Sequence, residues 1–253
     1  MRDAHRQAGS ALRLEWGPSG AAAIGPGCGV AVVVDVLSFT TTVTVAADRG
    51  IGVLPHRWGD DDAARAFAGV RGATLAVGRS RAGPGDVSLS PRSVRRAPDL
   101  RRLVLPSPNG STISAGLAGE VPVVVAASLR NRSAVARWLR DRRAADPDVA
   151  VAVVCAGERW PDGSLRPAVE DLWGAGALVE LLIGDGWPDV APEAAAAAAA
   201  FRALDGAVAV ALRACASGRE LIDIGHPDDV EIAAELDRSA SVPVLRDGVF
   251  EPV

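Results

Sequence analysis

Short apolar runs bounded by Gly-, Ser- or Asn-containing turns recur along the chain, and most of them hand over to a stretch with apolar residues at helical spacing. The runs Val30 to Val34, Gly52 to Pro55, Thr74 to Val77, Leu103 to Leu105, Val121 to Ala126 and Val149 to Cys155 are predicted strands. Helices are predicted over Thr41 to Arg49, Asp60 to Ala68, Thr112 to Ala118, Asn131 to Ala144, Val169 to Ile183 and Pro192 to Leu204. Strands that are apolar throughout and alternate with helices belong to βα units around a mostly parallel sheet, buried on both faces. The expected fold is therefore α/β with a mostly parallel sheet, organised either as one domain over residues 1–253 or as two packed lobes, 1–144 and 145–253.

Individual segments refine this picture. In the helix after Asn131, Val135, Trp138 and Leu139 fall on one face and arginines on the others, as a surface helix requires. The Ala194 to Ala200 run follows Pro192 and Glu193, which suit a first turn, and alanine is the best helix former, so it reads as a helix without a chemical role. Gly78 to Pro91 holds too many helix and strand breakers for an element; a loop of that length is often functional. A short acidic helix is expected over Asp228 to Leu236, then a strand or hairpin turning at Asp247-Gly248.

Composition narrows the function classes. A chain of 253 residues buries a core large enough to need no disulfide or metal for folding. No apolar run reaches membrane length and the N-terminal residues lack the outline of a secretory signal, so a cytoplasmic protein is expected. Cys28, Cys155 and Cys215 are odd in number and widely spaced, the pattern of free thiols. All 27 basic residues are Arg, but they are scattered and the net charge is −4, which disfavours nucleic acid and favours a small-molecule partner. Homo-oligomerisation is left open.

Three strand ends carry candidate chemistry. Asp35 closes the run Val30 to Val34 and precedes the hydroxyl cluster Thr40, Thr41, Thr42 and Thr44. Ligands of open α/β sheets bind beyond the carboxyl ends of strands, where helix N-termini offer free N–H groups to anions. Asp35 could hold a cation beside a phosphate, or simply cap the next helix. Ser107, Asn109, Gly110, Ser111 and Thr112 form a turn whose small polar residues let backbone approach a ligand, although Asn-Gly is also a common tight turn. Glu170 and Asp171 open the helix after the third strand end, either as dipole-stabilising acids or as oxygen ligands of a hard cation. His5, His56 and His226 lack metal-ligand spacing, so the acidic set suits Mg²⁺ better than zinc.

Taken together, Val34-Asp-Val-Leu37 with Thr40-Thr41, Pro108-Asn-Gly-Ser111, Ser128-Leu-Arg-Asn131, Val153-Val-Cys-Ala-Gly157, Glu170-Asp171, Gly218 to Gly225, Asp228-Asp229 and Val242-Pro-Val-Leu245 resemble the 2-phosphosulfolactate phosphatase family. The resemblance covers almost the whole chain in order. It implies a Mg²⁺-dependent phosphatase acting on a small acidic phosphoester, with a three-layer α/β/α fold, two Rossmann-like lobes and the site between them. Asp35, Glu170 and Asp171 would be the metal-binding and catalytic carboxylates, while Thr40, Thr41, Ser107, Asn109, Gly110 and Ser111 would hold the phosphate.

Two departures stand out. Ser38-Phe39 occupies the place of an Arg-Ala pair, and Arg79 that of a glutamate. Arg79 is accordingly a candidate for the missing contact to a substrate oxyanion, since a guanidinium suits such a partner. The competing reading is a protein that binds a phosphorylated or carboxylated metabolite without turning it over.

Overall fold

The computed structural model describes residues 3–57, 59, 61–83 and 85–253; the expected helix start at Asp60 and Pro84 of the long loop lie outside them. The strands are β1 (Leu12–Trp16), β2 (Val30–Val34), β3 (Gly52–Arg57), β4 (Thr74–Leu75), β5 (Arg102–Ser107), β6 (Val123–Ala127), β7 (Val151–Cys155), β8 (Glu158–Arg159), β9 (Leu165–Arg166), β10 (Pro243–Arg246) and β11 (Val249–Pro252). The helices are α1 (Gly17–Ile24), α2 (Phe39–Asp48), α3 (Asp61–Arg71), α4 (Pro91–Arg96), α5 (Gly110–Leu117), α6 (Arg132–Ala145), α7 (Val169–Gly184), α8 (Pro192–Arg202), α9 (Val208–Ala214), α10 (Ala216–Asp223) and α11 (Pro227–Ala233).

Nine strands form one mixed sheet in the order β1-β7-β2-β6-β10-β11-β3-β5-β4, while β8 and β9 form a small separate hairpin. Two parallel blocks, β1-β7-β2-β6 and β3-β5-β4, are joined through the β10–β11 hairpin. Each junction is a single antiparallel pair, Val244 with Val125 and Phe250 with Val53. The expected Asp247-Gly248 turn is present, with φ of 49° and 77°, the left-handed pair a two-residue hairpin loop requires. A boundary at 144/145 falls inside this sheet, because β7 is inserted between β1 and β2.

The period of two along β2 divides the core. Val30, Val32 and Val34 pack with Leu139, Leu178, Leu182 and Ala197 on one face; Ala31 and Val33 join Ile24, Val43, Ile113 and Leu117 on the other. The alanine run is indeed helical and gives α8 a surface small enough for α7 to approach closely. A Cβ added at Gly176 would lie 2.0 Å from the Ala197 carbonyl oxygen.

The Ser128-Leu-Arg-Asn131 segment proves to be architectural. The Asn131 side chain accepts from the Ser128 amide at 2.8 Å, and the guanidinium of buried Arg130 pairs with Asp48 at 2.8 Å and with Glu235. Cys28, Cys155 and Cys215 are buried and unpaired. None of the described helices is long and apolar enough to cross a membrane.

Candidate active site

Asp35 follows the last residue of β2, and its carboxylate joins two helix starts. Oδ1 accepts from the Phe39 amide at 3.0 Å, and Oδ2 accepts from the Gly110 amide at 2.9 Å. Asp35 follows β2 and Gly110 follows β5, so this bond joins strand ends that lie on opposite sides of the β10–β11 hairpin in the sheet order. Gly110 fits only without a side chain: a Cβ there would lie 2.3 Å from Phe39 Cδ1 and 2.6 Å from Asp35 Oδ2.

A cavity of about 240 Å³ opens at this junction, lined by Asp35, Ser38, Arg79, Ser107, Asn109 and Glu158 together with apolar walls that include Phe39, Leu89 and Leu105. Arg79 enters it from the Gly78 to Pro91 loop. Its Nε donates to Asp229 Oδ2 at 3.0 Å, and Nη2 donates to Ser38 Oγ and to the Leu89 carbonyl. Nη1 has no protein acceptor among the described residues, so one face of the guanidinium remains free for a ligand oxygen.

The other residues singled out from sequence divide by accessibility. Thr40, Thr41 and Ser111 are fully buried and bonded within their own turns: Thr40 to the Asp35 backbone, Thr41 to the Val36 carbonyl at 2.7 Å, and Ser111 to the Leu105 carbonyl at 2.6 Å. They shape the turns and do not line the cavity. Ser107 does line it, and its hydroxyl accepts from the Asn109 amide at 3.3 Å.

Glu170 and Asp171 lie behind the cavity wall. Asp171 Oδ1 accepts from the Val36 amide at 2.7 Å and Oδ2 from the Gly157 amide at 2.8 Å, so one buried carboxylate ties the ends of β2 and β7 to the start of α7. Glu170, also buried, interacts with the Cys215 thiol, which desolvation above all, and then the Glu170 charge, push up to about 12.

Glu158 is the lining carboxylate that the sequence reading passed over, although it occupies a strand end as Asp35 does: it directly follows Gly157 after β7. Its Oε2 accepts from Asn109 Nδ2 at 2.9 Å. The dipeptide Asn109-Gly110 thus holds one carboxylate with a side-chain amide and the other with a backbone amide.

Acids withdrawn from water gather here, and burial is the largest cause of each of their shifts. Burial pushes Asp35 up to about 6; the Phe39 and Gly110 amides oppose the shift, Glu170 adds to it and Arg79 reduces it. Glu158 is pushed up to about 7, first by burial and then by Asp35. Asp171 is raised well above the ordinary carboxylate range by burial and by its acidic neighbours. Among the described residues, no three His, Cys, Asp or Glu side chains surround a common point as a closed metal cage would require. The residues do fit the open mode usual for Mg²⁺, in which one or two carboxylates, waters and a substrate phosphate complete the shell. Asp35 borders the cavity, and a carboxylate that accepts two amides retains further lone pairs.

A small cavity at converging strand ends, lined by one guanidinium and two carboxylates, defines an α/β protein with a small-molecule site. The model of the 2-phosphosulpholactate phosphatase family matches residues 24–248, and the chain belongs to that family. It is 33% identical over 222 residues to a probable 2-phosphosulfolactate phosphatase of Deinococcus radiodurans, covering 87% of this chain and 88% of that protein. It is 32% identical over 229 residues to the 2-phosphosulfolactate phosphatase of Methanothermobacter thermautotrophicus, with coverage of 89% and 90%. A probable 2-phosphosulfolactate phosphatase of Thermotoga petrophila is 29% identical over 232 residues, with coverage of 88% and 92%.

Proposed function

We propose that the chain hydrolyses a small acidic phosphate monoester of the 2-phosphosulfolactate type, with Mg²⁺ held at Asp35. The observation that carries this reading is the convergence of Asp35, Asn109 and Arg79 on one cavity from three separate loops. Arg79 supplies a charge-assisted donor to a substrate oxyanion, and Ser107 and Asn109 offer neutral polar contacts to the phosphoryl group. When bound, Mg²⁺ supplies neutralisation of charge on the phosphoryl oxygens. Glu170 and Asp171 act from behind the wall: Asp171 fixes the loops that place Asp35, and Glu170 adds negative charge that favours a cation. A cytoplasmic location suits the three unpaired thiols.

A panel of small phospho-acids, including 2-phosphosulfolactate, assayed with and without Mg²⁺ tests this reading. Release of phosphate from an acidic monoester, dependent on Mg²⁺ and abolished in Asp35→Asn, is expected. Binding of the panel members without any turnover would replace the enzyme reading by that of a metabolite-binding protein.

A further inference from the structure

We propose that Glu158 is the general acid of the reaction, giving its proton to the ester oxygen as the bond from phosphorus to that oxygen breaks. The proposal rests on the phosphatase reading and adds a catalytic residue to it.

The geometry singles Glu158 out. It lines the same cavity as Asp35 and Arg79, is half-buried, and is anchored at one oxygen only, by Asn109 Nδ2 at 2.9 Å. Its Oε1 has no partner among the described residues and can carry a proton. Asp35, in contrast, has both oxygens engaged by the Phe39 and Gly110 amides, which favour its ionised form. Asp171 has the same two-amide arrangement away from the cavity. Glu158 is therefore the lining acid whose surroundings leave room for a proton at neutral pH. Burial, the charge of Asp35 and the more distant charge of Glu170 raise it to about 7 in the metal-free protein, while the Asn109 amide and Arg166 act in the opposite sense. The two acids of this cavity thus differ in geometry, one with both oxygens bonded to backbone amides and the other with one oxygen open to the cavity, and such unlike surroundings can divide acid and base roles.

The step balances as follows. The phosphorus–oxygen bond to the leaving group breaks, and its electron pair stays on the ester oxygen, which takes the Glu158 proton and leaves as an alcohol. A water oxygen forms the new bond to phosphorus, and both water protons leave with the phosphate, giving H₂PO₄⁻ from the dianionic ester. One of those protons returns through solvent to Glu158, leaving HPO₄²⁻.

Protonation matters in proportion to the basicity of the leaving group, and this separates an acid from a structural residue. Glu158→Gln should lower kcat for alkyl phosphate esters by about 10²- to 10⁴-fold, the usual contribution of a positioned proton donor. The same variant should keep most of its activity toward p-nitrophenyl phosphate, whose leaving group needs no proton. Wild-type kcat for the alkyl ester should fall on the basic side of its pH profile, and this basic limb should disappear in the variant. Circular dichroism of Glu158→Gln should show the fold retained. Equal losses on alkyl and aryl esters, or an unaltered basic limb, would overturn the assignment while leaving the phosphatase reading in place. A wild-type protein inactive on every ester would instead remove the phosphatase reading itself.

Discussion

Arg79 Nε sits 3.0 Å from Asp229 Oδ2, and the carboxylate of Asp229 is almost completely buried. Its second oxygen accepts from Ser90 Oγ, the residue whose side chain caps α4. One acid of the C-terminal helix α11 therefore holds both ends of the loop from Gly78 to Pro91. Arg79→Ala should raise KM for an acidic phosphoester about ten- to a hundredfold, as loss of a charge-assisted hydrogen bond predicts, with a smaller effect on kcat. Asp229→Ala should show the same KM defect and also lose about 3–5 kcal/mol of stability, since a buried charge pair is broken from one side. Steady-state kinetics and urea unfolding of both variants check this. An unchanged KM in Arg79→Ala would place the guanidinium outside substrate recognition.

Gly110→Ala tests the contact between the two strand ends. The added methyl would meet Phe39 and Asp35 Oδ2 at 2.3 and 2.6 Å, and both neighbours are buried, so a shift of the α5 start is required. Overpacking of this kind costs about 1–3 kcal/mol. Because the contact is with Asp35 itself, activity should fall further than the stability loss accounts for. Full activity in a folded Gly110→Ala protein would show that Asp35 need not be held by the Gly110 amide.

The parts of this fold legible in the sequence are those set by local period and turn chemistry. Val30 to Val34 reads as a strand because every position is apolar, and Asp247-Gly248 reads as a hairpin because both residues accept positive φ. β1 went unread: Leu12–Trp16 alternates with Arg13 and Glu15, and the buried Arg13 owes its place to carbonyls of Ile24 and Pro26, contacts no local pattern announces. In the site, Asp35, Ser107, Asn109 and Arg79 were legible as strand-end or loop chemistry. What could not be read was orientation. Thr40 and Glu158 are both polar residues near strand ends, yet Thr40 turns back onto the Asp35 backbone and Glu158 faces the cavity, a difference set by tertiary packing.

The acidic cluster predicts an unusual pH dependence of stability. The folded pKa of Asp35 is raised from 3.8 to about 6, so between those values the folded state binds more protons than the unfolded one. Its contribution is fully present below pH 3.8 and is lost as pH rises through about 6. Asp171 shifts in the same direction. Metal-free protein should thus lose stability from these groups between pH 5 and pH 8, and Asp35→Asn should flatten the profile. Chemical denaturation across that range, in the presence of a chelator, provides the measurement. A wild-type profile rising toward pH 8 with the same slope as Asp35→Asn would show that Asp35 is not protonated in the fold.

Mg²⁺ should reverse that loss, and two aspartates with different surroundings should respond to it differently. Binding to the folded state alone stabilises by about 2.7 kcal/mol when the free ion is at a hundred times its Kd. At pH 8, adding Mg²⁺ to chelator-treated wild-type protein should therefore raise Tm. Asp35→Asn removes a carboxylate that borders the cavity, so it should abolish the increment. Asp171 does not line the cavity, although its two oxygens accept from the Val36 and Gly157 amides much as those of Asp35 accept from Phe39 and Gly110. An asparagine there keeps one acceptor and presents an amide group to the other N–H, so Asp171→Asn should lower Tm with and without the ion, by about 1–3 kcal/mol of stability, while preserving the increment. Loss of the increment in Asp171→Asn with its retention in Asp35→Asn would move the cation from the cavity wall to the acids behind it. No increment in the wild-type protein would remove Mg²⁺ from the free enzyme.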